Sequence, residues 1–337
     1  MPFVFFLCLL VTAPAAANPT RIAFGSCSRI DLPQPIWHAI AAWQPDAFIT
    51  LGDIIYADTE DMGNMRTMYA QMDTVTGFQK LRQTCPVYGI WDDHDYGEND
   101  GGATYPKRDE AQAIFLDFLR EPSHTPRRTS PGIYDACYLD SPQHIQLILL
   151  DTRYFRSTWV ADQVSGMRYR PVYDADRTML GEPQWAWLEE QLQKPADVRL
   201  IASGIQIAND EHGYECWGLF PVERDRLFKL IAKTNASGVL FLSGDRHFAE
   251  LSAIDGGVGY PLYDFTSSGL THVAIDGIKA PNNKRVGKPF GEFNFGTVTI
   301  DLNATEPFIM LQIHDVNGTS QLAHRIRLID LKPDQHP

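Results

Sequence analysis

The chain has 337 residues, 44% hydrophobic and 21% charged, which is enough apolar material for a sizeable packed core. Glycine and proline number 25 and 22, ordinary globular usage that excludes collagen-like and wholly disordered readings. With 29 basic against 42 acidic residues the formal net charge is −13, which argues against gripping a nucleic-acid backbone through bulk positive charge.

The N-terminus reads MPFVFFLCLLVTAPAAANPT. The apolar stretch from Phe3 to Val11 is far shorter than the ~20 residues of a membrane span and fits the core of a secretory signal. Ala15-Ala16-Ala17 supplies the small residues of a cleavage site. Residues 1–17 are therefore expected to be a signal peptide and residues 18–337 one exported domain, periplasmic or extracellular. No later window is apolar enough to span a bilayer. No Arg-Arg pair precedes the first strand, which predicts export by the general secretory route.

Residues 21–25 read as a strand entering a Ser-Cys-Ser turn. Pro33 and Pro35 open a helix with Ile36, Trp37, Ile40 and Ala41 on one face. Strands follow at 47–51, ending at Gly52-Asp53, and at 86–91, ending at Asp92-Asp93-His94-Asp95. A polar, glycine-rich loop from Gly97 to Thr104 reads as a site-lining segment. Ala111, Ile114, Phe115 and Phe118 form the stripe of a helix over 109–120. A strand at 144–150 ends at Asp151, and Pro183 starts a helix with Trp185, Leu188 and Leu192 inward. A strand at 198–203, a helix at 221–234 and a strand at 238–243, ending at Gly244-Asp245, come next. From about 247 to 330 the chain is strand-rich, with strands expected at 247–254, 260–266, 296–302, 307–314 and 322–329. Alternating units without a repeat or linker predict an α/β fold: two packed mixed sheets flanked by helices, a four-layer α/β/β/α sandwich.

Four strands end in residues that bind hard or borderline cations: Cys27; Asp53 and Tyr56; Asp93 with His94 and Asp95; Asp245 with His247. Ligands of α/β sheets gather at the carboxyl ends of strands, so these distant residues are expected to meet at one edge. A carboxylate has two oxygens and can bridge two metal ions ~3.5–4 Å apart, as phosphoryl-transfer sites require. No G-x-S-x-G elbow and no Walker A loop is present, which removes a serine hydrolase and a P-loop enzyme. A non-catalytic metal- or anion-binding protein on the same scaffold is the alternative.

The stretches FGSCS (24–28), LGDIIY (51–56), WDDHDYG (91–97), LDTRYFR (150–156), MLGEPQWAWLEEQL (179–192) and SGDRH (243–247) resemble, in order, the alkaline phosphatase D family of the calcineurin-like metallophosphoesterase superfamily. The resemblance implies a ferric ion held by Cys27, Asp53, Tyr56 and His247, with Asp53 bridging to calcium completed by Asp93 and Asp245; manganese, magnesium or zinc are substitutes. Thiolate and phenolate suit ferric iron, and carboxylates suit calcium. It implies in-line attack of a metal-bound hydroxide on small phosphate esters or diesters, with His94 assisting the leaving oxygen and Arg153 contacting phosphate or anchoring the acidic ligands. Asp92, Asp95, Gln206 and Trp217 are candidates for lining the site or supporting its ligands. Monoester or diester preference and oligomeric state stay open at this level. His38, His124, His144, His212, His272 and His314 lie in no motif and read as structural or surface residues. With Cys8 removed and Cys27 a ligand, Cys85, Cys137 and Cys216 leave room for at most one disulfide.

Overall fold

The computed structural model describes residues 18–139 and 144–333; the expected signal peptide lies outside them. The strands are β1 (Thr20–Gly25), β2 (Ala47–Leu51), β3 (Val87–Ile90), β4 (Asp135–Tyr138), β5 (Ile145–Leu149), β6 (Val198–Ser203), β7 (Val239–Ser243), β8 (Ala249–Asp255), β9 (Pro261–Ser267), β10 (Asn294–Asp301), β11 (Phe308–Asp315) and β12 (Ser320–Arg327). They form two six-stranded mixed sheets, ordered β12-β11-β10-β1-β2-β3 and β4-β5-β6-β7-β9-β8. Strands β1, β2 and β3 are parallel, as are β5, β6, β7 and β9, while β10 to β12 run antiparallel. Strands β2, β5, β6 and β7 are buried along their whole length, which is why they read as unbroken apolar runs.

The sheets pack face to face. Phe24 on β1 meets Phe265 on β9 edge to face, with ring centroids 5.3 Å apart. Outside the first sheet lie α1 (Ile36–Trp43), α2 (Met62–Met72) and α3 (Thr76–Thr84). Trp37 of α1 packs on Phe48 of β2 and Phe78 of α3 at 5.4 and 4.9 Å. A single turn, α4 (Asp93–Tyr96), precedes α5 (Arg108–Phe118), and α6 (Gly181–Leu192) and α7 (Pro221–Lys233) follow later in the chain. Glu223 of α7 accepts from Trp185 Nε1 of α6, joining these two helices.

The expected strands are present within two residues of their predicted ends, and the two-sheet α/β architecture is the one predicted. Helices α2 and α3 and strand β4 were not anticipated. Helix α2 buries only Met65, Tyr69 and Met72; its clearest signal is Asp61, whose side chain accepts from the Gly63 and Asn64 amides. Strand β4 is a half-buried edge strand of four residues. The described cysteines Cys27, Cys85, Cys137 and Cys216 are all thiols. Among the described residues no helix is long and apolar enough to cross a membrane.

Candidate metal centre

Strands β1, β2, β3 and β7 deliver their following loops to one edge. Gly52, at φ +95°, makes the closest approach: a Cβ there would lie 2.4 Å from the Asp92 backbone nitrogen. Only glycine lets the β2 and β3 loops touch, and the touch sets Asp53 beside Asp93. The Asp53 carboxylate faces two ways. Its Oδ2 accepts from Cys27 Sγ and Tyr56 Oη, both at 3.4 Å, and its Oδ1 accepts from the His94 amide at 3.4 Å. Tyr56 Oη lies 3.3 Å from His247 Nε2. Ligand atoms of Cys27, Asp53 and His247 lie within 4.8 Å of one another, as do those of Asp53, Asp93 and His94. Asp53 belongs to both groups.

Asp245 lines the adjoining cavity with Asp93 and His247. Burial, resisted by Arg246 and aided by Glu215 and Asp93, pushes the Asp245 carboxyl up to about 6. Burial, with Cys27 and Asp93 adding like charge, raises Asp53 well above the usual carboxylate range. Burial also raises the Cys27 thiol and lowers the His247 imidazole. These acids press against one another without a matching positive charge at their centre, and a cation would supply it. The donor set fits metals: sulfur, phenol and imidazole on one side of Asp53, carboxylates on the other.

Asp92 and Asp95 hold the loops. Asp95 accepts from the Ile54 amide at 3.1 Å and the Asp92 amide at 2.5 Å, tying the β2 loop to α4. Asp92 accepts from Arg153 Nε at 2.8 Å. Arg153 is fully buried and also makes a bidentate pair with Glu215, at 2.6 and 2.9 Å. Its donors are committed to these carboxylates and it is not among the cavity-lining residues, which fits the anchoring alternative rather than a phosphate contact. Arg156 likewise binds the Asp100 carbonyl at 2.6 Å. Gln206 donates to Glu250 and Thr266 in the core, and Trp217 donates to Ser203 against Trp185. Neither lines the cavity.

His94 Nδ1 lies 2.7 Å from Asp58 Oδ2, a partner that the sequence reading did not single out. Burial works to strip the ring of its proton, but the Asp58 hydrogen bond and neighbouring acids outweigh it and carry His94 up to about 9. His272 was assigned no role, yet its Nε2 is 3.0 Å from Tyr56 Oη, and burial lowers it to about 3, so it is neutral. Glu215 and Asp100 were also missed; with Asp93 they form a third group of ligand atoms within 4.8 Å. Their segments carry no strand-end pattern; Asp100 falls within the Gly97-to-Thr104 loop read as site-lining, and it does line the cavity.

The cavity beside these groups measures about 350 Å³ and is walled by Asp93, His94, Asp245, His247, Arg246 and Tyr214, among others. Two face-to-face mixed sheets flanked by helices, with this cluster at their strand ends, are the architecture of the metallophosphoesterase fold. The chain matches the PhoD-like phosphatase family over residues 22–288 and belongs to that family. It is 25% identical over 281 residues to alkaline phosphatase D of Bacillus subtilis (strain 168), a match covering 70% of this chain and 47% of the relative. The match thus spans about half the length of that curated relative. Among solved structures, PhoD superposes with a TM-score of 0.68 at 18% identity, over 94% of this chain and 73% of that one. A dimetal phosphatase from Danio rerio superposes at 0.57 with 10% identity, over 93% and 100% of the two chains. GAP50, the anchor in the inner membrane complex of Plasmodium, superposes at 0.58 with 13% identity, over 95% and 91%. At such identities the likeness shows the fold alone, and the fold carries both an enzyme and an anchor.

Proposed function

We propose that the protein is an exported, metal-dependent phosphatase or phosphodiesterase acting on small phosphate esters. The observation that carries this reading is Asp53, buried, with one oxygen toward Cys27 and Tyr56 and the other toward the backbone of His94. Cys27, Asp53, Tyr56 and His247 would hold ferric iron; Asp53, Asp93 and Asp245 would hold calcium, or manganese, magnesium or zinc in its place. Bound there, the ions supply Lewis acidity toward phosphate oxygens. The Asp58 hydrogen bond at Nδ1 favours a protonated His94 ring, whose place on the cavity wall suits it to protonate a leaving oxygen. Asp95 and the Arg153 cluster hold these groups in place. Export rests on the apolar stretch from Phe3 to Val11 and the alanines before Asn18.

The test is chelation and reloading. Protein stripped of metal is expected to release no nitrophenol from p-nitrophenyl phosphate or bis(p-nitrophenyl) phosphate, and to recover turnover with ferric iron and calcium. Reloaded protein that turns over neither ester overturns the enzymatic reading in favour of a non-catalytic scaffold.

A further inference from the structure

Arg246 stands between two expected metal ligands, Asp245 and His247, and lines the cavity. It is only 9% exposed, and among the described residues its buried Nε has no hydrogen-bond partner. Its nearest carboxylate is Asp245, at 3.7 Å, too far for a hydrogen bond. The guanidinium instead lies against two rings, 4.8 Å from the Tyr214 centroid and 5.9 Å from that of Phe248. A guanidinium has five donors and almost never stays buried without acceptors. The cavity's other arginine, Arg168, already pairs with Asp100 and lies over Tyr169.

On these grounds, and resting on the phosphate-ester reading above, we propose that Arg246 is the substrate-binding residue that takes a non-reacting oxygen of the phosphoryl group. Oxyanions of phosphate match the arginine fork, and the contact is strongest where water is excluded. Tyr214 holds the guanidinium over the cavity. It is 49% exposed, so its ring also offers an apolar surface beside the phosphate. The phosphate contact that was one alternative for Arg153 thus falls to an arginine in the loop after β7.

The test uses full-length protein loaded with ferric iron and calcium, with inorganic phosphate as the probe. Phosphate binding is read by calorimetry, and KM and kcat are read on p-nitrophenyl phosphate. Arg246→Gln should weaken phosphate binding about 10- to 100-fold, the range of a lost hydrogen bond to a charged group. KM should rise by a similar factor at unchanged metal content, and Arg246→Lys should recover part of both. Arg246→Gln that binds phosphate within twofold of wild type overturns the proposal. So does a loss confined to metal content, which would make Arg246 a mere counterion of Asp245. If Arg246→Gln fails to fold, Arg246→Lys decides alone: unchanged phosphate affinity refutes the guanidinium contact with the phosphoryl oxygen, and several-fold weaker binding supports it. Wild-type protein that binds phosphate but turns over no ester would fail the enzymatic reading while leaving the Arg246 comparison decisive.

Discussion

Cys27, Asp53, Asp245 and His247 share a backbone conformation that residues other than glycine seldom adopt, with φ of 65°, 52°, 68° and 58°. Such residues cost of order 1–3 kcal/mol each and persist where surrounding structure over-determines them. Here they coincide with the residues expected to hold metal, so the fold spends stability to aim these side chains. Asp53 carries a second cost, since its charge is buried among Cys27, Asp93, Asp92 and Asp95. Removing that charge relieves a strained site and disables it together. Asn tolerates the same backbone well. Asp53→Asn is therefore expected to raise the melting temperature of metal-free protein while lowering turnover by orders of magnitude, checked by calorimetry and by ester hydrolysis. A variant with near-normal turnover would remove Asp53 from the bridging role.

At the scale of elements, the site is several loops held in register by one buried cation. Arg153, after β5, binds Asp92 after β3 and Glu215 in the segment after β6, all without solvent exposure beyond 3%. Arg153 in turn holds the Glu215 carboxyl down to about 2; burial opposes that shift and loses to the paired charge. Truncating one partner of such a pair strands the other, a loss of about 3–5 kcal/mol. Glu215→Ala should lower the unfolding free energy by an amount in that range, read as a lower urea midpoint at unchanged slope, and a loss near zero would show that Asp92 alone satisfies Arg153. Legibility follows the same division. Cys27, Asp53, Asp93 and Asp245 were readable because each ends an apolar strand, a pattern imposed by the sheet itself. Glu215, Asp100, Asp58 and His272 were not, because they come from irregular loops whose paths depend on tertiary contacts. The role of Arg153 was left open for a related reason: its motif marks an arginine near the site but cannot show that Glu215, 62 residues on, closes around it. Helices α2 and α3 escaped because their buried stripes are short, three residues each, so packing rather than propensity decides them.

Across the whole molecule the acids around the cavity make folding and metal loading one equilibrium. Burial, resisted by hydrogen bonds from the Asp92 and Ile54 amides, leaves Asp95 raised to about 7, and burial carries Asp100 and Asp245 up to about 6. Asp53 and Asp92 are likewise raised well above the usual carboxylate range by burial, Asp92 despite Arg153. A carboxyl raised in the folded state keeps its proton where the unfolded chain, with the usual value near 3.8, has released it. The folded state then binds more protons, and stability falls as pH rises from about 4 through 7. His94 acts in the same direction: raised to about 9, it adds stability that is complete below 6.5 and is lost as pH rises through 9. Glu215, lowered to about 2, adds stability that is lost only below 4.5, outside this window. His272, lowered to about 3, and His247, also lowered by burial, act the opposite way below pH 6.5, but the raised carboxyls and His94 outnumber them. Chelated protein should therefore melt at progressively lower temperature from pH 5 to pH 8, the reverse of ordinary acid denaturation. The net charge of −13 pushes the same way through surface repulsion, but added sodium chloride screens that part and leaves the buried part. Cations bound at the centre displace the contested protons, so ferric iron and calcium should raise the melting temperature more at pH 8 than at pH 5. Melting curves of chelated and loaded protein at both pH values, with and without 0.5 M salt by the ~3 Å screening expected near 1 M, distinguish the two contributions. A chelated protein whose stability is flat or rises from pH 5 to pH 8 in high salt would mean that the strand-end acids are not held against their charge, and the cage would lose its physical reason for taking a metal.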